Sequence, residues 1–172
     1  MIRSSVFLTF AVLIASGCAP ATASPAVMSV CDVSRDFPGF RDKGLTVRGV
    51  YYYGLRQECP QKCKGGLWPS FINLEGGTDA TWAALAKAER EVETEAKRTG
   101  KRFEIWVTVV GRFQTRAKRS PLGPCDRKTW GPGYGHLGVF PAQIVVESIR
   151  DIEVKMNPQS PYDYSKIYHG PA

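Results

Sequence analysis

One segment of this chain repeats with a helical period, while its other periodic segments alternate with a period of two. That combination points to a mainly β fold carrying a single helix. The helix is read from Asp79 to Thr99. Thr78 or Asp79 caps its start, Lys97 and Arg98 sit in the last turn where they favour the helix dipole, and Gly100 is a natural stop. Its apolar positions, Trp82, Leu85, Val92 and Ala96, form a narrow stripe among Glu, Lys and Arg, so it should lie on the surface with one edge docked.

The strands are uneven in quality. Leu45 to Tyr53 alternates, and Gly49 and Gly54 suggest a bend or a close backbone approach. Phe103 to Phe113 alternates most strongly. Leu67 to Leu74 reads as a strand whose Pro69 demotes part of it to an edge or bulge. Gln143 to Lys155 reads as a final strand bent near Ser148. A second strand must be placed in Leu55 to Cys59, where the pattern is poor. Cys31 to Phe40 has room for a helical turn that Pro38-Gly39 should break. Strand, poor strand, strand, helix, strand, long loop, strand is the layout of a small five-stranded OB-like barrel with one surface α-helix. A β-sandwich with one helix is the alternative.

The N-terminus has the composition of an export leader. Arg3 supplies a positive charge and Val6 to Ala15 an apolar run of about ten residues, too short to span a bilayer. Ala15-Ser16-Gly17-Cys18 resembles the lipobox of bacterial lipoproteins, with alanine where leucine is usual. The organisation expected is a signal peptide over 1–17, a tether over 18–30, the barrel over 31–156 and a loosely held tail over 157–172. Cys18 would carry the lipid, palmitate included, and alanine at position 19 points to the outer membrane. Cleavage at Ala23, releasing a soluble periplasmic or secreted protein, is the competing reading. Either way Cys31, Cys59, Cys63 and Cys125 remain. An even number in an oxidising compartment reads as two disulfides, with three connectivities open. A metal site built on Cys59, Cys63 and His136 is the weaker reading, because a second close ligand pair is missing.

Four stretches resemble a group of uncharacterised bacterial secreted and lipoprotein domains: Val30-Cys31-Asp32-Val33, Leu45 to Tyr51, Gly135-His136-Leu137-Gly138, and Phe140 to Val146. The likeness covers roughly Val30 to Val154. It implies the OB-like barrel and carries no activity with it.

Catalytic chemistry finds little to stand on. His136 and His169 are the only histidines, a nucleophile elbow is missing, and Glu75 and Asp79 are better explained structurally. No cofactor or metal is expected. The formal charge is +7, with 23 Lys and Arg against 16 Asp and Glu, which favours anionic partners. The cations gather at and within the long segment Gln114 to Pro141, where Arg112, just before it, and Arg116, Lys118, Arg119, Arg127 and Lys128 are interleaved with Trp130, Tyr134 and His136. Cations alternating with aromatics suit a single-stranded nucleic acid, a sugar polymer or an anionic headgroup, and export disfavours the first. The expectation is therefore a membrane-anchored, non-enzymatic binding domain with an anionic polymer, a headgroup or a protein as partner. A hydrolase or nuclease on the same barrel is the alternative.

Overall fold

The computed structural model describes residues 26–60, 67–118, 133–135 and 140–166. Six strands, β1 (Val27–Ser29), β2 (Gly44–Tyr51), β3 (Leu55–Pro60), β4 (Leu67–Gly76), β5 (Phe103–Thr115) and β6 (Ala142–Met156), form one mixed sheet. Helices α1 (Val30–Arg35) and α2 (Phe37–Phe40) precede β2, and α3 (Asp79–Thr99) joins β4 to β5. The order is β1-β2-β3-β4-β6-β5, and β2 also pairs with β5, so the pairings β2–β3–β4–β6–β5 return to β2. There is one sheet among the described residues rather than two packed face to face, which sets the sandwich aside. It has six strands rather than five, because β1, expected to lie within the tether, pairs in parallel with β2.

The long strands follow the alternation. Val47 lies opposite Val109, and Gly49 opposite Val107. Val47, Val107, Val109, Ile105, Leu55, Ile72 and Ile144 are fully buried on one side, where Val30, Val33 and Phe37 cover them. Gly49 permits this cover, since a Cβ there would lie 2.6 Å from a methyl of Val30. Phe37 packs on Phe113 with ring centroids 5.3 Å apart. On β4 the Pro69 region pairs only with β3, opposite Glu58, as an edge position allows. The register of β5 with β6 slips at Val110/Gly111 and again at Trp106/Thr108, so β6 bends near Ser148 as expected.

Pro38 does not break a helix. It sits in the first turn of α2, where its missing N–H is not needed, and Asp36 caps that turn by accepting from the Gly39 amide at 3.0 Å. Helix α3 matches its expected bounds: Thr78 caps it, Gly100 ends it in the left-handed region with φ 65°, and Leu85, Ala88, Val92 and Ala96 are its buried face. The segment expected to be a loose tail is docked over 157–166. Tyr162 and Tyr164 are 6% and 1% exposed, and the Tyr164 hydroxyl donates to the Tyr51 carbonyl. Cys31 of α1 and Cys59 of β3 form a disulfide with Cα atoms 5.5 Å apart. Cys18, Cys63 and Cys125 lie outside the described residues, as does the apolar leader.

Candidate functional site

Strand β5 is followed by Arg116-Ala117-Lys118, both cations exposed around a buried alanine. Tyr134 comes from the far end of the same long segment, held by a two-way backbone pairing with Phe140 at 2.8 and 3.2 Å. The Arg116 guanidinium lies 5.3 Å over the Tyr134 ring. Two of the expected site residues are thus brought together, with Lys118 beside them. Arg119, Arg127, Lys128, Trp130 and His136 lie outside the described residues.

The same end of the sheet gathers Arg112, which the sequence groups with this basic segment, and two cations that were not expected there, Arg41 and Lys43. Arg41 donates to the Ala117 carbonyl at 3.0 Å. Lys43 lies 6.0 Å over the Phe40 ring, and Arg112 sits opposite Gly44 on the neighbouring strand. Among the described residues none of Arg41, Lys43, Arg112, Arg116 or Lys118 forms an ion pair. These groups therefore sum to a positive patch that attracts anions over a screening length of about 10 Å at 0.1 M salt.

A second cation lies further along the same run of rings. Phe140 meets Phe71 of β4 at 6.5 Å, edge to face. Arg56 of β3 lies 4.4 Å over the Phe71 ring and 5.1 Å over the Tyr52 ring. Tyr52 in turn meets Tyr53, Tyr162 and Tyr164 with centroids 5.0, 5.2 and 5.4 Å away. The rings Tyr134, Phe140 and Phe71 therefore lie between Arg116 at one end and Arg56, with its tyrosines, at the other. Each cation–ring contact contributes about 0.5–1 kcal/mol where exposed and more where desolvated. Burial pushes the Arg56 guanidinium below its ordinary range, with the tyrosines around it acting the other way. Its Nε is buried without a hydrogen-bond partner, and so is the Tyr162 hydroxyl. Burial also raises the Tyr162 phenol to about 12.

Arg48 shows what a structural arginine looks like on the same sheet. It donates to Thr108 Oγ1 at 3.2 Å, to the Asp151 carbonyl at 3.2 Å and to Glu153 at 2.7 Å, lying over Trp106. Glu104 is equally committed, accepting from Trp106 Nε1 and from Asn157 Nδ2, each at 2.9 Å. It stands in a cleft of about 220 Å³ with Gln57, Glu58 and Tyr162. A neighbouring cleft of about 310 Å³ shares Gln57 and Trp106 and is lined by Arg48, Met28 and Asp32. Among the described residues no three His, Cys, Asp or Glu side chains gather as a metal site would require.

Sequence reasoning missed Arg56 because its partners come from three separate segments. Tyr52 follows β2, Phe71 lies opposite Arg56 in the β3–β4 register, and Tyr162 belongs to the segment read as a tail. The one available signal was Arg56 alternating with Leu55, which puts it on the face away from the core. Compared with known proteins, the chain matches no family model, no curated protein and no solved structure.

Proposed function

We propose that this chain is a non-enzymatic binding domain of the bacterial envelope, tethered to the membrane by lipid on Cys18, and that its ligand is an anionic polysaccharide. The observation that carries the reading is the Arg116 guanidinium over Tyr134, at one end of a run of rings with Arg56 at the other. The rings of this run that keep exposure, Tyr53 above all and Tyr52, Phe71 and Tyr134 in part, offer apolar faces to sugar rings, and the cations offer positive charge to their acidic groups. Export favours an acidic polysaccharide over a nucleic acid. An OB-type barrel is the finer fold reading. It is supported by the ring of pairings, by the parallel β4–β6 pair and by a helix between β4 and β5. On that reading the long segment between β5 and β6 is one of the two loops that flank the ligand face.

The test is binding of polygalacturonate by the parent and by a variant carrying Arg116→Ser, Lys118→Ser and Arg119→Ser. The variant should melt with the parent, because exposed charges contribute little to folding. Its binding should fall and lose most of its salt dependence. Equal binding by parent and variant at low salt would make the loop a connector. Binding of anionic vesicles without binding of the polymer would replace the polysaccharide by a lipid surface.

A further inference from the structure

Arg56 carries a desolvated charge with nothing in the described structure to receive its hydrogen bonds. A guanidinium has five N–H donors in a planar fork. Arg48 spends its fork on Thr108, on the Asp151 carbonyl and on Glu153. Arg56 spends none of its own: no acceptor among the described residues takes a hydrogen bond from it, and no carboxylate pairs with it. Glu58, two residues along the same strand, forms no ion pair with it either. The Phe71 and Tyr52 rings fix the guanidinium in place through their electron-rich faces, and they accept nothing through its N–H edge. Nε is buried without a partner, whereas the two terminal nitrogens are not closed off in this way. Tyr162, 6% exposed, stands close enough for its charge to act on Arg56 more than that of any other tyrosine, and its own hydroxyl is buried without a partner. A stacked arginine with an open fork is the arrangement that receives a two-oxygen anion.

We infer that Arg56, positioned by Tyr52 and Phe71, is an oxyanion-binding site that takes a single carboxylate or phosphate group of the ligand end-on through its terminal nitrogens. The inference rests on the polymer reading only for where that anion comes from. The geometry gives Arg56 the recognising role and leaves Arg116 and Lys118, at the other end of the run, to attract the polymer at longer range.

The experiment is a nuclear magnetic resonance titration that follows the Arg56 side-chain Nε–H signal of the purified chain. The probes are galacturonate, inorganic phosphate, galactose and chloride, at matched ionic strength. Saturable movement with galacturonate alone identifies a sugar carboxylate as the source. Movement with phosphate alone identifies a phosphate group, and movement with both supports the shared oxyanion chemistry. Arg56→Gln should weaken oxyanion binding by about tenfold or more, the effect of losing one charge-assisted pair. Arg56→Lys should restore only part of it, because an ammonium keeps the charge and loses the fork. Should Arg56→Gln fail to fold, Arg56→Lys and the parent titration still decide. Equal movement with chloride or galactose, no saturation with either oxyanion, or parental affinity in Arg56→Lys overturns the inference. Galacturonate should move Arg56 just as far in an Arg116→Ser, Lys118→Ser variant. If polymer binding depends on Arg116 and Lys118 while no oxyanion moves Arg56, the polymer reading stands and the Arg56 site falls.

Discussion

Replacing Cys31 and Cys59 together by alanine should remove roughly a third or more of the stability of a domain of ordinary strength. The bridge joins α1 to β3 across a sequence separation of 28. In the chain-entropy account, a loop of that length restricts the unfolded ensemble by about 3.5 kcal/mol. The two sulfurs are also buried, at 6% and 0% exposure, so their removal leaves small voids and brings the expected loss to about 3–5 kcal/mol. A typical domain has about 5–15 kcal/mol in total. The structural consequence is local. Helix α1 has six residues, too few to persist alone, yet it delivers Val30 and Val33 into the core at 0% exposure. Its capping box, formed by Ser29 and Asp32, and the disulfide are what hold it there. Equilibrium urea denaturation of the oxidised parent and of Cys31→Ala/Cys59→Ala gives the comparison. The midpoint should fall and the slope should rise as the unfolded chain expands. A loss under about 1 kcal/mol with an unchanged slope would refute the argument, because the unfolded chain would then gain no freedom from losing the bridge.

Burial raises the Tyr51 and Tyr162 phenols to about 12 and pushes Tyr164 up further. Their neutral forms stabilise the fold fully below the unfolded pKa near 10. That stability should be lost as pH rises towards the folded value, by up to about 2–3 kcal/mol for each of Tyr51 and Tyr162, and urea midpoints at neutral and alkaline pH read alongside phenolate absorbance would show it. Gly111→Ala would place a Cβ 2.2 Å from the Val145 carbonyl oxygen and 2.7 Å from an Ile144 methyl, so it should cost more than about 2 kcal/mol in thermal denaturation. With Cys31 and Cys59 joined, and Cys18 carrying lipid as proposed, Cys63 and Cys125 are the two cysteines left to pair. Peptide mapping of the unreduced protein should find that bridge, and stoichiometric free thiols would contradict it. Mass spectrometry of the mature N-terminus should find lipid on Cys18, and a chain that starts at Ser24 without lipid would overturn the tether.

Where local signals were dense, the fold was legible. Helix α3 announces itself through 21 residues, a threonine cap and a closing glycine, and β5 through its alternation. Strand β3 is weak in the sequence because only Leu55 and Cys59 of its described residues reach the core, while Arg56 and Glu58 turn away from it. Pro38 was misjudged because proline disrupts the interior of a helix and not its first turn, and sequence alone did not say which of these it occupied. Residues 157–166 look solvated by composition, rich in Asn, Gln, Ser, Asp and Lys. Their two buried tyrosines are explained by Tyr51 and Tyr52, over a hundred residues earlier in the chain.

The site was less legible than the fold because a positive charge in a sequence does not say whether it is already spent. Arg48 and Arg56 both sit in strands, on faces that alternate with buried leucine or valine, and both lie over aromatic rings. What separates them is acceptors. Those of Arg48 lie 60, 103 and 105 residues away, on β5 and β6. One of them is the carbonyl of Asp151, a residue at φ 52° in the irregular stretch of β6, so the register slip between β5 and β6 accompanies the arginine's satisfaction. The same accounting sorts the other cations. Arg35, Lys97, Arg98, Arg102, Lys155 and Lys166 have carboxylates within 4 Å. Among the described residues Arg41, Lys43, Arg56, Arg90, Lys101, Arg112, Arg116 and Lys118 do not. The net charge of +7 is a property of the whole chain, but this pairing concentrates its unspent part. Most of it lies at the end of the sheet where β5 finishes, and the Arg56 fork stands further along the rings. An anion drawn in by the first group would meet its directional hydrogen bonds at the second, because long-range attraction needs only summed charge, whereas recognition needs donors held in a fixed plane.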